Sequence, residues 1–230
     1  MTADKLTLLP TADGSYTLGR GESHETYHSR FGAVTEAREV FLRNSGVLER
    51  LQRQAPTCVL EIGFGTGLNF LLTAHAARNY RCNLVYTSYE IELPPVSLIS
   101  TLLSQNTPEC DAEIKLLLEA VASQQQHLSV EVNPFSSLQL WTEDAVAAKF
   151  PHQQYDTVYL DAFSRNESPE FWETPFLQKV YYALKTGGSL ATYSVNRKFR
   201  DALEAAGFHW DKLPGPSGKR EVIVATKPQT

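Results

Sequence analysis

The residue types best placed to do chemistry lie together in Glu61-Ile62-Gly63-Phe64-Gly65-Thr66-Gly67-Leu68-Asn69. An apolar run from Cys58 to Leu60 leads into a carboxylate, and three glycines follow at alternate positions. Glycine supplies turn geometry that a Cβ forbids, and it lets a ligand approach the backbone. An amphipathic segment opens at Leu68, and a helix that starts there leaves its first N–H groups unpaired. Strand, tight turn and helix in this order hold a small polar ligand at the carboxyl end of a strand, where open α/β sheets bind ligands. A dinucleotide fingerprint spaces its glycines G-x-G-x-x-G and rests a pyrophosphate on the helix N-terminus. Here the spacing is G-x-G-x-G, and Glu61 would repel a pyrophosphate. A carboxylate at that place suits a cationic group or a hydroxyl.

The spacing resembles the first motif of the class I methyltransferases, E/D-x-G-x-G-x-G. Their donor, S-adenosylmethionine, carries an ammonium, a sulfonium and a ribose, and no phosphate. Three further carboxylates, Glu90, Asp144 and Asp161, end or follow predicted strands. All parallel strands of one sheet bring their carboxyl ends to the same crevice. An acid in the place of Glu90 accepts the ribose hydroxyls, and one in the place of Asp144 accepts the adenine amino group. Asp161 abuts the loop that should meet the acceptor. The expected cofactor set is therefore Glu61, Gly63, Phe64, Gly65, Thr66, Gly67, Asn69, Glu90, Asp144 and Asp161. For any single acid, a surface residue or a helix cap is the competing reading.

The elements that must position these groups follow from patterning. Residues 6–18 read as a hairpin around Asp13-Gly14, a favoured turn pair, and residues 21–33 as a loop. Thr35 is expected to cap a helix through Ala37, Val40 and Phe41, and residues 47–54 form another helical segment. Strands are expected at 57–62, 84–90, 138–141, 157–161 and 189–193. Helices are expected at 67–78, 95–104, 109–127, 144–149, 173–185 and 197–206, the last stopped by Gly207. Two closing strands flank 214–218, the second at 221–225. Strands alternating with helices predict an α/β fold, a Rossmann-like doubly wound sheet ending in an antiparallel strand. Residues 1–55 are expected to form a hairpin and helical extension, and residues 56–230 the single main domain.

With 230 residues, 42% of them hydrophobic, the chain suits one core. No run approaches the length of a membrane helix, and Met1–Lys5 lacks the basic and apolar regions of a signal peptide. Cys58, Cys82 and Cys110 lack metal-ligand spacing, so free thiols, a cytoplasmic location and no metal are expected. The net charge of −5 hides an asymmetry: residues 56–184 carry 6 basic and 15 acidic side chains, and residues 185–230 carry 8 and 4. Local patches, not the total, set the field that a polyanion meets. A solvated face is the competing reading of the basic end.

Over almost its whole length the chain resembles one family. The matching pieces include Glu25-Thr26-Tyr27-His28-Ser29, Phe31-Gly32-Ala33, Gly63 through Phe70, Ser88-Tyr89-Glu90 and Leu138 through Asp144. They continue with Leu160-Asp161-Ala162-Phe163, Pro169-Glu170-Phe171-Trp172, Gly187 through Tyr193, Ala206-Gly207-Phe208 and Gly218-Lys219-Arg220-Glu221. These are similar to the methyltransferase half of the MnmC family. The resemblance implies methylation of the primary amine of 5-aminomethyluridine at the tRNA wobble position. The donor is S-adenosylmethionine, S-adenosylhomocysteine is the product, and the anticodon loop is the partner. The family's flavin-dependent oxidase half is expected to be absent, and with it any flavin. On this reading Asp161 orients the amine or takes its proton. Phe163 and Trp172 stack on the base, or else pack in the core. Tyr27 and Ser29 cover the site, and Arg197, Lys198, Lys219 and Arg220 face the tRNA. Glu167 stands near a position that is often basic in the family. A methyltransferase for a small-molecule amine, a cofactor-binding protein without catalysis and a dinucleotide enzyme are the alternatives.

Overall fold

The computed structural model describes residues 6–21, 25–165, 167–216, 218 and 221–229. Strands β1 (Leu6–Pro10) and β2 (Tyr16–Arg20) form a hairpin. Helix α1 (Ala33–Glu36) runs into a π-helical segment, Ala37–Arg43, and α2 (Val47–Gln52) follows. Then come β3 (Thr57–Ile62), α3 (Leu68–Tyr80), β4 (Leu84–Glu90), α4 (Val96–Asn106), α5 (Asp111–Ala122), β5 (His127–Asn133) and β6 (Ser136–Thr142). The chain closes with β7 (Tyr155–Leu160), a 3-10 turn at Pro169–Trp172, α6 (Thr174–Ala183), β8 (Leu184–Thr192), α7 (Arg197–Ala205), β9 (His209–Pro214) and β10 (Glu221–Thr226).

Eight strands form one sheet in the order β5-β6-β4-β3-β7-β8-β10-β9. Strands β6, β4, β3, β7 and β8 are mutually parallel, and β10 runs antiparallel to both β8 and β9. The predicted doubly wound sheet with an antiparallel closing strand is therefore present. The central strands are buried on both faces, as parallel strands covered by helices are, and every residue of β7 is buried. The strand order reverses at β3, which has β4 on one side and β7 on the other. Ligands bind at such a switch point.

One face packs against α2, α3, α4 and α5, and the other against α6 and α7. Leu18, Val40, Phe41 and Val47 share a buried cluster with Val59, Phe70 and Tyr86, so the N-terminal residues pack into the main core. At the amino ends of the strands, Asp156 accepts the Cys58 N–H and pairs with Arg50 at 2.9 Å and Lys185 at 3.0 Å. That cluster ties β3, β7, β8 and α2 together at the end remote from the glycine loop.

Four local expectations are corrected. Thr35 does not cap a helix; it lies inside α1, and its hydroxyl donates to Asp13 Oδ2. The stretch 109–127 is not one helix, because α5 ends at Ala122 and His127 opens β5, which pairs antiparallel with β6. Residues 144–149 make a turn, with the Val146 N–H donated to Asp144 Oδ1. Gly187-Gly188 does not precede the strand but lies within β8, where the pairing with β7 is irregular and Gly187 has φ of 77°.

Candidate active site

A cavity of about 670 Å³ opens at the carboxyl ends of β3, β4, β7 and β8. Its floor is the turn after β3. Gly63, at φ 92°, lies so close to the β7 exit that a Cβ would stand 2.6 Å from the Asp161 carbonyl oxygen. Gly67, at φ 81°, begins α3 and leaves no room for a Cβ beside the Phe64 ring. The glycines of the sequence motif thus serve backbone geometry and close approach within the site itself.

The four predicted acids divide into two kinds. Glu90, Asp144 and Asp161 line the cavity, as do Gly63, Phe64 and Gly65. Glu90 Oε2 accepts the Gly65 N–H at 2.8 Å and so fastens the glycine turn to the end of β4. Burial raises its pKa. Asp161 sits just past β7, its N–H donated to the Ile62 carbonyl at 2.9 Å. Glu61, by contrast, is 0% exposed and forms no part of the cavity wall. Its Oε2 accepts from the Ser88 hydroxyl at 2.9 Å and its Oε1 from Asn69 Nδ2 at 3.0 Å. Burial pushes its pKa up to about 8. Glu61 therefore lies behind the turn and outside the cavity wall, held by Asn69 and Ser88. Thr66, Gly67 and Asn69 likewise stand outside the wall, and Thr66 and Asn69 are buried.

The segment after β2 closes over the turn. Tyr27 and Ser29 line the cavity. The Tyr27 ring lies near enough to Gly65 that a Cβ there would meet it at 3.1 Å. Its edge also packs on Phe163, with centroids 5.2 Å apart. On the same ring the Arg20 guanidinium sits 4.5 Å from the centroid. Phe163 is therefore a wall residue, held by Arg20 and Tyr27. Beneath this strap His28 Nε2 and Thr66 Oγ1 hydrogen-bond at 3.0 Å. Burial pulls the His28 pKa down to about 4. Glu36 Oε1 accepts the Ser29 N–H at 3.0 Å. Sequence reasoning assigned no role to Arg20, His28, Glu36 or Ser88. The His28–Thr66 contact spans 38 positions, which no local pattern exposes.

Of the two readings of Trp172, the packing around it favours the core one. Trp172 is 1% exposed, donates Nε1–H to the Phe163 carbonyl at 3.1 Å, and packs edge-on against Tyr193 and Phe199. It supports the Phe163 loop from the core and presents no ring for a base to stack on. Tyr193 reaches the same loop, its hydroxyl donated to the Ala162 carbonyl at 2.9 Å. Arg197 and Lys198 are exposed at the start of α7, outside the cavity. Lys219 and Arg220 lie outside the described residues. Among the described residues no group of three His, Cys, Asp or Glu side chains is placed to hold a metal ion, and no helix is long and apolar enough to cross a membrane.

A cleft of this size lies within the range of roughly 300–1,000 Å³ typical of small-molecule sites. Its wall carries carboxylates at three strand ends, apolar surface from Phe64, Ile91 and Ala162, and an aromatic rim. That chemistry suits a ligand with cationic and hydroxyl groups beside a flat apolar part.

Comparison with known proteins gives a matching account. Residues 108–228 match the model of a family described as S-adenosyl-L-methionine-dependent methyltransferase. The chain is 34% identical over 214 residues to the tRNA 5-methylaminomethyl-2-thiouridine biosynthesis bifunctional protein MnmC of Acidovorax sp. (strain JS42). That match covers 88% of this chain and 32% of the relative, so the chain spans about a third of the length of the curated relatives it matches. Among solved structures it is similar to MNMC2 from Aquifex aeolicus, with a TM-score of 0.77 and 25% identity over 100% of this chain and 74% of that one. Spermidine synthase from Thermotoga maritima shares the fold, with a TM-score of 0.55 and 14% identity over 99% of this chain and 70% of that one.

Proposed function

This chain belongs to the S-adenosyl-L-methionine-dependent methyltransferase family, and from that premise we propose that it methylates the primary amine of 5-aminomethyluridine at the tRNA wobble position. The observation that carries this reading is the placing of Asp161 on the cavity wall, where the glycine turn meets the Phe163 loop. A likeness to relatives that act in 5-methylaminomethyl-2-thiouridine biosynthesis supports the choice of acceptor.

The residues present fit the cofactor. Glu90, at the end of the strand next to the glycine turn, is the group for the ribose hydroxyls. Asp144, one strand further out, is the group for the adenine amino group. When bound, S-adenosylmethionine supplies a methyl group already activated on a sulfonium, so alignment of the acceptor does much of the work. The chain's own part is to hold a neutral amine in line. Asp161 accepts an N–H of the amine, orients its lone pair and takes the proton as the new bond forms. Phe163, stiffened by Arg20 and Tyr27, walls the acceptor side. Arg197, Lys198, Lys219 and Arg220 are the proposed contacts for the anticodon loop, whose phosphates any basic surface attracts.

A second reading has one observation in its favour. The cavity mouth carries Glu25, Glu92, Glu143, Glu167 and Glu170, and such a field suits a free cationic amine. Single-turnover methylation at saturating cofactor separates the two readings, with aminomethyl tRNA and a small primary amine compared as acceptors. Faster reaction with the small amine would displace the tRNA reading. With tRNA as acceptor, Asp161→Asn should lower the rate by roughly 10²–10⁴, with partial recovery at high pH as solvent deprotonates the amine. A wild-type rate at neutral pH would remove Asp161 from the chemistry.

A further inference from the structure

Asp161 does not stand alone behind the acceptor. The side-chain amide of Asn69, in the first turn of α3, donates one hydrogen bond to Asp161 Oδ2 at 2.8 Å and another to Glu61 Oε1 at 3.0 Å. Both N–H bonds of that amide are thus committed to carboxylates. Glu61 is in turn held by the Ser88 hydroxyl on β4. The result is a continuous run from β4 through β3 and α3 to the loop after β7. Asn69 and Glu61 are buried, and neither reaches the cavity wall.

We propose that Asn69 is a positioning residue for Asp161, and that Glu61 is the buried anchor that aims its amide. The physical case rests on donor geometry. An amide NH₂ has two donors in a fixed planar relation. Once Glu61 takes one of them, the direction of the other is set, and the Asp161 carboxylate must lie along it. A hydrogen bond to an ionised carboxylate is stronger than a neutral one, and it favours the charged form over the protonated form. Asn69 therefore does two things for Asp161: it fixes an oxygen in place and it favours the ionised state that accepts a proton. The motif acid before the first glycine then acts through Asn69 and not on the cofactor. This proposal rests on the reading of Asp161 as the group that meets the acceptor amine.

The groups facing this run are Tyr86 on β4, Tyr159 on β7, Tyr193 beyond β8, and Glu90 at the end of β4. Burial raises the pKa values of Tyr86 and Tyr193, and the charge on Asp161 adds to it, so both hydroxyls stay protonated across the range in which a carboxylate titrates.

The test uses Asn69→Leu in the full chain, with two readouts. The first is the titration of the Asp161 carboxyl by carbon NMR of aspartate-labelled protein, its signal assigned by its loss in Asp161→Asn. Without the amide donor the midpoint should move up. The second is single-turnover methylation of aminomethyl tRNA at saturating cofactor, which should fall by up to about 10²-fold, the cost of a misplaced reacting group. Calorimetric affinity for S-adenosylmethionine should stay at the wild-type value. An unmoved midpoint, a wild-type rate, or a loss of cofactor affinity that accounts for the lost rate would each overturn the proposal. If Asn69→Leu does not fold, Asn69→Ser removes the amide with less bulk and takes its place. Wild-type protein that fails to methylate aminomethyl tRNA would instead sink the acceptor reading, and the NMR titration would still decide what Asn69 does to Asp161.

Discussion

At the residue scale, burial holds two ionisable groups next to the site, Glu61 and His28, uncharged near neutral pH. Glu61 has its pKa raised from 4.5 to about 8 by burial, against the opposing hydrogen bonds from Asn69 and Ser88. The folded protein therefore binds a proton that the unfolded chain has released. Stability from this group is present below pH 4.5 and is lost as pH rises from there through about 8. Glutamine is the neutral mimic: its oxygen can accept from Asn69 and its amide can donate to Ser88 Oγ. Glu61→Gln should thus be more stable than wild type at pH 8 by an amount on the order of a few kcal/mol. The gain should shrink towards zero near pH 4.5. Denaturant melts at the two pH values decide it; a glutamine variant that is less stable at pH 8 would mean that Glu61 is ionised and held by its donors. The opposite sign applies to His28, whose pKa falls from 6.5 to about 4 on burial. Here the unfolded chain binds the extra proton, so stability is lost as pH falls from 6.5 through about 4.

At the scale of elements, the strap between β2 and α1 depends on that histidine. Its contacts are the His28–Thr66 hydrogen bond, Tyr27 over Gly65 and against Phe163, and the Ser29 N–H on Glu36. Burial outweighs the favourable charge of nearby Glu36, so protonating His28 places a cation in the core at a cost. Wild-type protein should therefore lose the strap before the sheet as pH falls, and exchange of the Tyr27 and Ser29 amides should quicken between pH 6 and pH 4. In His28→Gln the acid-induced quickening should disappear. Equal acid sensitivity in both proteins would assign the effect to another group. The covering role of Tyr27 and Ser29 was expected from the resemblance, but the His28–Thr66 bond and the Tyr27–Phe163 contact that hold the strap join residues tens of positions apart, which no local pattern exposes. Much else was legible in the sequence. The strands at 57–62 and 84–90 were readable to the residue, since short, largely apolar and β-branched or aromatic runs bounded by turn residues are what a strand buried on both faces shows. The failures have local causes. The polar stretch Ser123–Gln126 carries no strong breaker between α5 and β5, so a helix seemed to continue across a turn. Trp172 follows a Pro-x-x-Trp pattern in a loop, and only the packing of Tyr193 and Phe199 around it shows that the loop is anchored inward. The motif glycines announced a ligand loop, yet spacing alone could not tell which neighbouring acids face the cavity and which lie behind it.

At the scale of the whole molecule, the charge distribution poses a problem for a polyanionic acceptor. The stretch 56–184 that supplies most of the sheet is acidic, with 6 basic and 15 acidic side chains, and several of those acids ring the cavity mouth. A nucleic acid that approaches the mouth alone is repelled, whereas one that first meets a basic surface is held nearby. The basic excess of residues 185–230, 8 against 4, includes the exposed start of α7. That helix follows β8, and Tyr193, the residue just after β8, lines the cavity. Arg197 and Lys198 are therefore close in the chain to the cavity rim. Arg197 has a partner in Asp201 at 4.0 Å, but both side chains are mostly exposed, and such a pair contributes little that would resist a phosphate. If the tRNA reading holds, the double variant Arg197→Gln, Lys198→Gln should bind every tRNA more weakly. The slope of log affinity against log salt should flatten by about 1–2, one for each lost phosphate contact. Cofactor affinity should not change, because neither residue reaches the cavity. Filter binding of modified and unmodified tRNA across a salt series measures both quantities at once. An unchanged slope would make the start of α7 an ordinary solvated face. The acidic mouth would then favour a small cationic acceptor over a nucleic acid.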